Sequence, residues 1–227
     1  MSGFERWQEW RIVMYRAVIF DLDGTLLNTL EDLKDGVNYV LALRGYPERS
    51  LEEIRQFVGN GIGKLIERAV PDGVTEKERE EMLKEFRTYY TEHCRIKTTP
   101  YSGIMELLKS LKEHNVKMAI VSNKNDAAVK DLARYYFSEY ITVAIGECEG
   151  VRKKPSPDSV FKAINLLGAE KEQAVYVGDS DVDRATAANA GMACVSVTWG
   201  FREEELLKSL EPEYLIHKPE ELIGIVL

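Results

Sequence analysis

Apolar runs of strand length recur along the chain: AVIF at 17–20, MAIV at 118–121, ITVAI at 141–145, AVYV at 174–177 and ACVSV at 193–197. Each is continuous rather than alternating, the pattern of strands buried on both faces of a parallel sheet. Between most of them lie stretches of helical periodicity, among them GIMELLKSLKEH, DAAVKDLARYYF, SVFKAINLL and DRATAANAG. Strands alternating with helices build βαβ units, so the pattern predicts an α/β fold with a doubly wound parallel sheet.

One interval breaks the alternation. From Thr29 to about Cys94 the chain carries only helical signals. Ser50 with Glu53, and Thr75 with Glu78, read as capping boxes opening two of these helices, and Pro-Asp-Gly at 71–73 reads as a turn. The expected organisation is a core of residues 14–28 plus 97–227, with an all-helical domain of residues 29–96 inserted into it. The crossings near 28–29 and 96–99 would then be hinges. Residues 1–13, ahead of Met14, read as an N-terminal extension.

Composition narrows the class. With 227 residues, 44% hydrophobic and 30% charged, the chain fits a soluble globular protein. A net charge of −8 leaves no excess of Lys and Arg for a phosphate backbone, so a nucleic-acid partner is not expected. Cys94, Cys148 and Cys194 are far apart and form no CxxC pair, which fits reduced thiols and a cytoplasmic location. The three histidines are scattered, so no His-rich zinc site is expected. No run approaches the ~18 apolar residues of a membrane span, and the first residues lack the apolar run of a signal peptide.

In open parallel sheets, ligands bind beyond the carboxyl ends of the strands. DLDGT follows the first apolar run, and Ser122 with Asn123 and Lys124 follows the second. RKKPSPD comes after the third through a loop, and GDSDVD after the fourth. Taken singly, an Asp-Gly pair reads as a turn, and Ser or Asp as a helix cap. Taken together, they supply the groups that phosphoryl transfer to a carboxylate requires. Asp21 would attack phosphorus. The repulsion between carboxylate and phosphate calls for Mg²⁺, with Asp21 and Asp179 as oxygen ligands. Lys154 would neutralise the non-bridging oxygens, while the Ser122 hydroxyl and backbone N–H groups orient the phosphoryl group. Asp23, two residues on from Asp21, would handle protons, and Gly24 and Thr25 would let the backbone turn closely around the phosphate.

Through DLDGT at 21–25, VSN at 121–123, Lys154 in KKPSPD and GDSDVD at 178–183, the sequence resembles the haloacid dehalogenase superfamily from Met14 onward. The resemblance implies a Rossmann-like core, a helical cap inserted after the first motif, and Mg²⁺ dependence. It implies Asp21 as nucleophile, and Asp23 as acid/base and, through its backbone carbonyl, a metal ligand. Ser122, Asn123 and Lys154 would be in the phosphate site, Asp179 would bind metal, and Asp183 would support the metal through its waters or the lysine. Lys153, beside Lys154, is the alternative phosphate lysine. Asn28 stands where many relatives have Asp.

Within the superfamily, dehalogenases lack the second aspartate of the first motif and transport ATPases have Lys there, so Asp23 implies a phosphatase. Phosphosugar mutases of this cap type usually carry Glu-Asp where this chain has Gly178-Asp179. VGNGIGKLIERAV in the cap and VGDSDVDRATAANAGM in the core look like phosphoglycolate phosphatases. A small phosphorylated metabolite is therefore the expected partner, phosphoglycolate first, with a phosphosugar mutase, a pyrophosphatase or nucleotidase, and a non-catalytic phosphate binder as alternatives. Monomer and homodimer both stay open. The cap should set specificity by closing over the site, with Asn60 and Lys64 of GNGIGK at 59–64 facing the substrate.

Overall fold

The structure is a computed structural model and describes residues 14–227; the expected extension, 1–13, lies outside the described residues. In chain order the elements are β1 (Ala17–Phe20), β2 (Leu27–Asn28), α1 (Leu30–Ala42), α2 (Leu51–Phe57), α3 (Ile62–Ala69), α4 (Glu76–His93), β3 (Thr99–Pro100), α5 (Ile104–Glu113), β4 (Lys117–Asn125), α6 (Asp126–Phe137), β5 (Val143–Glu147), α7 (Asp158–Leu167), β6 (Ala174–Gly178), α8 (Asp181–Ala190), β7 (Ala193–Val197), α9 (Glu204–Ser209), β8 (Tyr214–Ile216) and α10 (Ile223–Val226). No helix among the described residues is long and apolar enough to cross a membrane.

Six strands form one parallel sheet in the order β5-β4-β1-β6-β7-β8. The doubly wound topology expected from the alternation is present. The continuous apolar runs have a direct cause, because both faces are covered. Val18, Phe20, Ile120, Val175 and Val177 face a core that includes Leu107 and Leu111 of α5 and Val129 and Leu132 of α6. Ala17, Ile19, Ala119, Val121 and Tyr176 face the other way, against Val160 and Ala163 of α7 and Ala187 of α8. The first strand lies between β4 and β6, so the carboxyl ends of these three neighbours open side by side. That is the switch point at which doubly wound sheets bind ligands.

Three local features differ from the pattern reading. The third apolar run is shifted: β5 spans Val143–Glu147, while Ile141 is a buried core residue ahead of it. β8 pairs with β7 as a three-residue edge strand, too short to show periodicity within LEPEYLIHKP. The fourth strand runs on to Asn125, with a register shift against β5 between Val121 and Asn125. That irregularity carries Ser122, Asn123 and Lys124 past the sheet edge.

Helices α1 to α4 fill the interval between β2 and β3, and their buried side chains continue the core of one sheet face. The two crossings are not separate loops. They pair as antiparallel β2 and β3, Leu27 opposite Pro100 and Asn28 opposite Thr99. Buried Asp32, in the first turn of α1, accepts the Lys97 N–H at 3.0 Å, the Thr98 N–H at 2.9 Å and the Thr98 hydroxyl at 2.8 Å, pinning the return crossing to the helix. Ser50 and Glu53 exchange both bonds of a capping box. Thr75 accepts the Glu78 N–H, but the Glu78 carboxylate takes the Tyr46 hydroxyl at 2.7 Å instead of closing the box. A cross-helix partner outcompetes the local bond. The cysteines are unpaired, as expected.

Candidate active site

A buried lysine organises the floor of the site. Lys154 places its Nζ 2.8 Å from Asp21 Oδ1 and 2.7 Å from Asp183 Oδ1, and donates to the Tyr176 hydroxyl at 3.1 Å. Its neighbour Lys153 points outward and pairs with Glu147 at 2.8 Å. The two lysines therefore separate cleanly. The main chain of Lys154 is held from β4: its N–H donates to Asn123 Oδ1 at 2.8 Å, and its carbonyl accepts from Asn123 Nδ2 at 3.1 Å. Asn123 thus uses its amide to hold the lysine's backbone.

Asp21, Asp179 and Asp183 bring carboxylate oxygens within 4.8 Å of one another, and all are buried. Each is fixed differently. Asp183 Oδ2 accepts both the hydroxyl and, at 3.1 Å, the N–H of Ser180, forming a capping box that opens α8. Its Oδ1 accepts from Lys154 and, at 2.9 Å, from the Tyr176 hydroxyl. Asp179 accepts the Phe201 N–H at 2.7 Å and the Thr25 hydroxyl at 3.3 Å. Burial, then repulsion from Asp183, pushes the Asp179 carboxyl up to about 7. The same causes, in the same order, hold Asp21 well above the usual carboxylate range although Lys154 pulls it down. Three crowded carboxylates with one touching ammonium group form a site short of positive charge.

Asp23 lies beside them. Its Oδ1 accepts from the Thr29 hydroxyl at 2.7 Å and from Lys124 Nζ at 2.8 Å. Lys124 is buried, and also donates to the Tyr90 hydroxyl of α4 at 2.8 Å. Facing Asp23 keeps its ammonium charged against a burial that would otherwise lower its pKa. The Ser122 hydroxyl accepts the Lys124 N–H at 3.2 Å and lines the cavity.

Gly24 and Thr25 serve the carboxylates rather than the cavity. The Gly24 N–H is taken by the Leu27 carbonyl at 2.9 Å. Its φ is +88°, and a Cβ there would lie 2.4 Å from Asp179 Oδ2, so only glycine fits. The Thr25 hydroxyl is committed to Asp179. The expected close turn is present, but Asp179 fills its inside.

Above the floor, Leu33, Val58, Ile62, Leu65 and Phe201 with the backbone of Gly59 and Gly61 enclose a cavity of about 60 Å³, which Asp21, Asp23, Ser122, Lys124, Lys154 and Asp179 also line. Asn60 and Lys64, expected to face the substrate, do not line this cavity. Ile62 and Leu65 take the inner side of α3, and the 3.6-residue repeat turns Lys64 outward to Glu67 at 2.7 Å. The Asn60 Oδ1 accepts from Arg68 at 2.9 Å, also outside the cavity.

The sequence reading missed the loop after β7. There the Trp199 indole N–H holds the Thr25 carbonyl at 3.0 Å, Phe201 holds Asp179, and Arg202 reaches into the cavity lining. TWGFR sits beyond a strand end, which was its only signal. Lys124 had the same signal but no assigned role, and Tyr176 was hidden as an apolar strand residue.

Fold and floor together define a doubly wound α/β protein with an aspartate-rich site at the switch point and helices inserted after the first strand. The profile of the haloacid dehalogenase-like hydrolases matches residues 18–197, and the chain belongs to that family. It is similar to phosphoglycolate phosphatase of Aquifex aeolicus (strain VF5), 32% identical over 212 residues, covering 93% of this chain and 96% of that protein. It is similar also to phosphoglycolate phosphatase 1 of Pseudomonas aeruginosa, 33% identical, covering 92% of this chain and 78% of that one. A crystal structure ascribed to a phosphoglycolate phosphatase of Lactobacillus delbrueckii subsp. bulgaricus superposes with a TM-score of 0.89 at 34% identity, covering 94% of this chain and 99% of that one. The chain is accordingly an enzyme, a phosphatase of the phosphoric monoester hydrolase class.

Proposed function

We propose that the chain is a Mg²⁺-dependent phosphatase of short phosphorylated acids, with phosphoglycolate the first substrate to test, acting through a phosphoryl group carried on Asp21. The observation that carries this reading is the buried Asp21 carboxylate held 2.8 Å from Lys154 at the floor of a small cavity. The core of 14–28 with 97–227 supplies the chemistry, and the helices of 29–96 supply the roof.

The residues present fit a hard divalent cation. The cluster is all carboxylate oxygen, it is buried, and burial with mutual repulsion raises the pKa of two of its members, a cost that a dication would relieve. Asp21 and Asp179 would hold it, joined by the backbone carbonyl of Asp23. Asp183, whose two oxygens are already engaged, would act through Lys154. When bound, Mg²⁺ would offset the repulsion between phosphate and carboxylate and align the displacement.

A carboxylate oxygen of Asp21 forms a bond to phosphorus as the bond to the alkoxide leaving group breaks. Asp23 delivers the proton that the leaving oxygen needs. Because Lys124 and Thr29 both occupy its Oδ1, Oδ2 is the oxygen available to carry that proton. In the second half, Asp23 takes a proton from water, the water oxygen attacks phosphorus, and Asp21 leaves with its electron pair. Lys154 and Ser122 hold the non-bridging oxygens throughout. The apolar roof limits the water around the reacting phosphorus.

Gly178 weighs against the mutase alternative. A Cβ at 178 would lie 2.3 Å from the Asp183 Cβ, so the Glu usual in such mutases does not fit here without moving Asp183. The test is kcat/KM across phosphoglycolate, sugar phosphates, nucleoside monophosphates and pyrophosphate with Mg²⁺. Phosphoglycolate should lead, with stoichiometric release of inorganic phosphate. A leading nucleotide, or isomerised sugar phosphate without phosphate release, would overturn the proposal.

A further inference from the structure

Three cations reach the cavity, and they are not equivalent. Lys154 is paired with Asp21 and Asp183, and Lys124 with Asp23. Arg202 has no partner in the carboxylate cluster. Its Nε donates to Asp181 Oδ1 at 3.2 Å, a carboxylate with a half-exposed side chain, and its terminal nitrogens donate to the Val58 carbonyl at 2.7 Å and the Arg55 carbonyl at 3.3 Å. A guanidinium has five N–H donors, so one on each terminal nitrogen has no acceptor among the described residues.

The surroundings point to what those donors meet. The cavity that Arg202 lines has an apolar upper wall: Leu33, Val58, Ile62, Leu65 and Phe201 offer no side-chain partner to a charged substrate tail. A buried carboxylate in that space would carry a large cost unless it met a cation. Arg202 is also held at both ends. The preceding residue, Phe201, is bonded to Asp179, and the guanidinium itself is bonded to the Val58 and Arg55 carbonyls. The roof makes room for it, because a Cβ at Gly59 would lie 2.6 Å from its Nη2.

We propose that Arg202 reads a second anionic group on the substrate, a carboxylate one or two carbons from the phosphoryl group, through the planar N–H fork that suits carboxylates. This rests on the phosphatase reading above and adds the residue that selects an acid over a neutral phosphomonoester. It places part of the selectivity on the core, on a loop that also ties the roof down.

The test compares 2-phosphoglycolate with 2-hydroxyethyl phosphate, which replaces the carboxylate by a neutral CH₂OH, in wild type, Arg202→Met and Arg202→Lys. Wild type should prefer the acid. In Arg202→Met the acid-over-neutral ratio of kcat/KM should fall about 10- to 100-fold, chiefly through KM, and Arg202→Lys should restore part of it. Equal losses on both substrates would overturn the proposal and leave Arg202 as a tie between loop and roof. A wild-type enzyme that turns over the neutral ester as well as the acid would overturn it too. Should Arg202→Met not fold, as judged by its melting curve, the ratio in Arg202→Lys decides, since an unchanged ratio there counts against the proposal. Wild type that hydrolyses neither compound but does hydrolyse larger phosphates would instead sink the substrate reading itself.

Discussion

The floor and the roof of the cavity are built on opposite plans. On the floor, nearly every polar atom has a named partner: Asp183 takes Lys154, Tyr176 and Ser180, and Asp179 takes Phe201 and Thr25. In the roof, the polar side chains turn outward, Lys64 to Glu67 and Asn60 to Arg68, and apolar groups face the cavity. The floor is a preorganised charge array, which is what stabilising a charged transition state asks for. The roof is an apolar cover over that array. Among the described residues, the polar contacts that join them away from the crossings are Lys124 with Tyr90, Arg95 with Asp131, and Arg202 and Glu203 with the end of α2. Chemistry and enclosure are thus separable in this molecule, and substitutions should separate them.

The largest effect belongs to the floor. Asp21→Asn keeps the shape and removes the nucleophile, so kcat should fall by roughly 10⁴-fold or more while the melting temperature holds or rises. Undiminished turnover would remove Asp21 from the mechanism.

Metal removal should give an intermediate effect with a defined pH sense. Asp179 is pushed up to about 7 and Asp21 is raised as well. A carboxyl raised in the folded state contributes its full stability below its unfolded value, and that contribution is lost as pH climbs through the folded value. Chelated protein should therefore lose this contribution as pH rises from about 4 to about 7. The stabilisation by Mg²⁺ should grow over the same window, reaching about 5–10 °C at a hundredfold excess over Kd. A Mg²⁺-induced shift in Tm that is the same at pH 5.5 and pH 8 would contradict the crowded-carboxylate account.

The smallest effect belongs to the roof's outer face. Lys64→Ala removes an exposed, solvent-screened ion pair with Glu67 and should change kcat/KM by less than about twofold on any substrate. A tenfold rise in KM would show that the face bearing Lys64 meets substrate after all.

Much of the floor was legible because its residues follow apolar runs. A strand buried on both faces must end where polar residues begin, so DLDGT, VSN and GDSDVD stood out against AVIF, MAIV and AVYV. The Lys153–Lys154 ambiguity was not resolvable that way. It took the Asn123 amide, bonded to both backbone groups of Lys154, to show which lysine points inward. Asn123, which lines the cavity, and Gly24 and Thr25 also have supporting roles that the motifs did not show: a motif shows which residues gather, while hydrogen-bond geometry shows which ones hold their neighbours. GNGIGK misled more simply, because Gly59, Gly61 and Ile62 line the cavity while Asn60 and Lys64 face out.

The sequence by itself determined the α/β class, the helical insertion and the set of ionisable groups at the switch point. These follow from local periodicity and from the rule that parallel strands present their carboxyl ends together. Only the tertiary structure decided the pairing of the two crossings, the partners of each carboxylate, the outward turn of Lys64 and the entry of Arg202 into the cavity. Those depend on contacts between segments far apart in the chain, such as Thr25 with Asp179 and Arg202 with Val58, whose energies rest on distances and orientations that residue order alone does not encode.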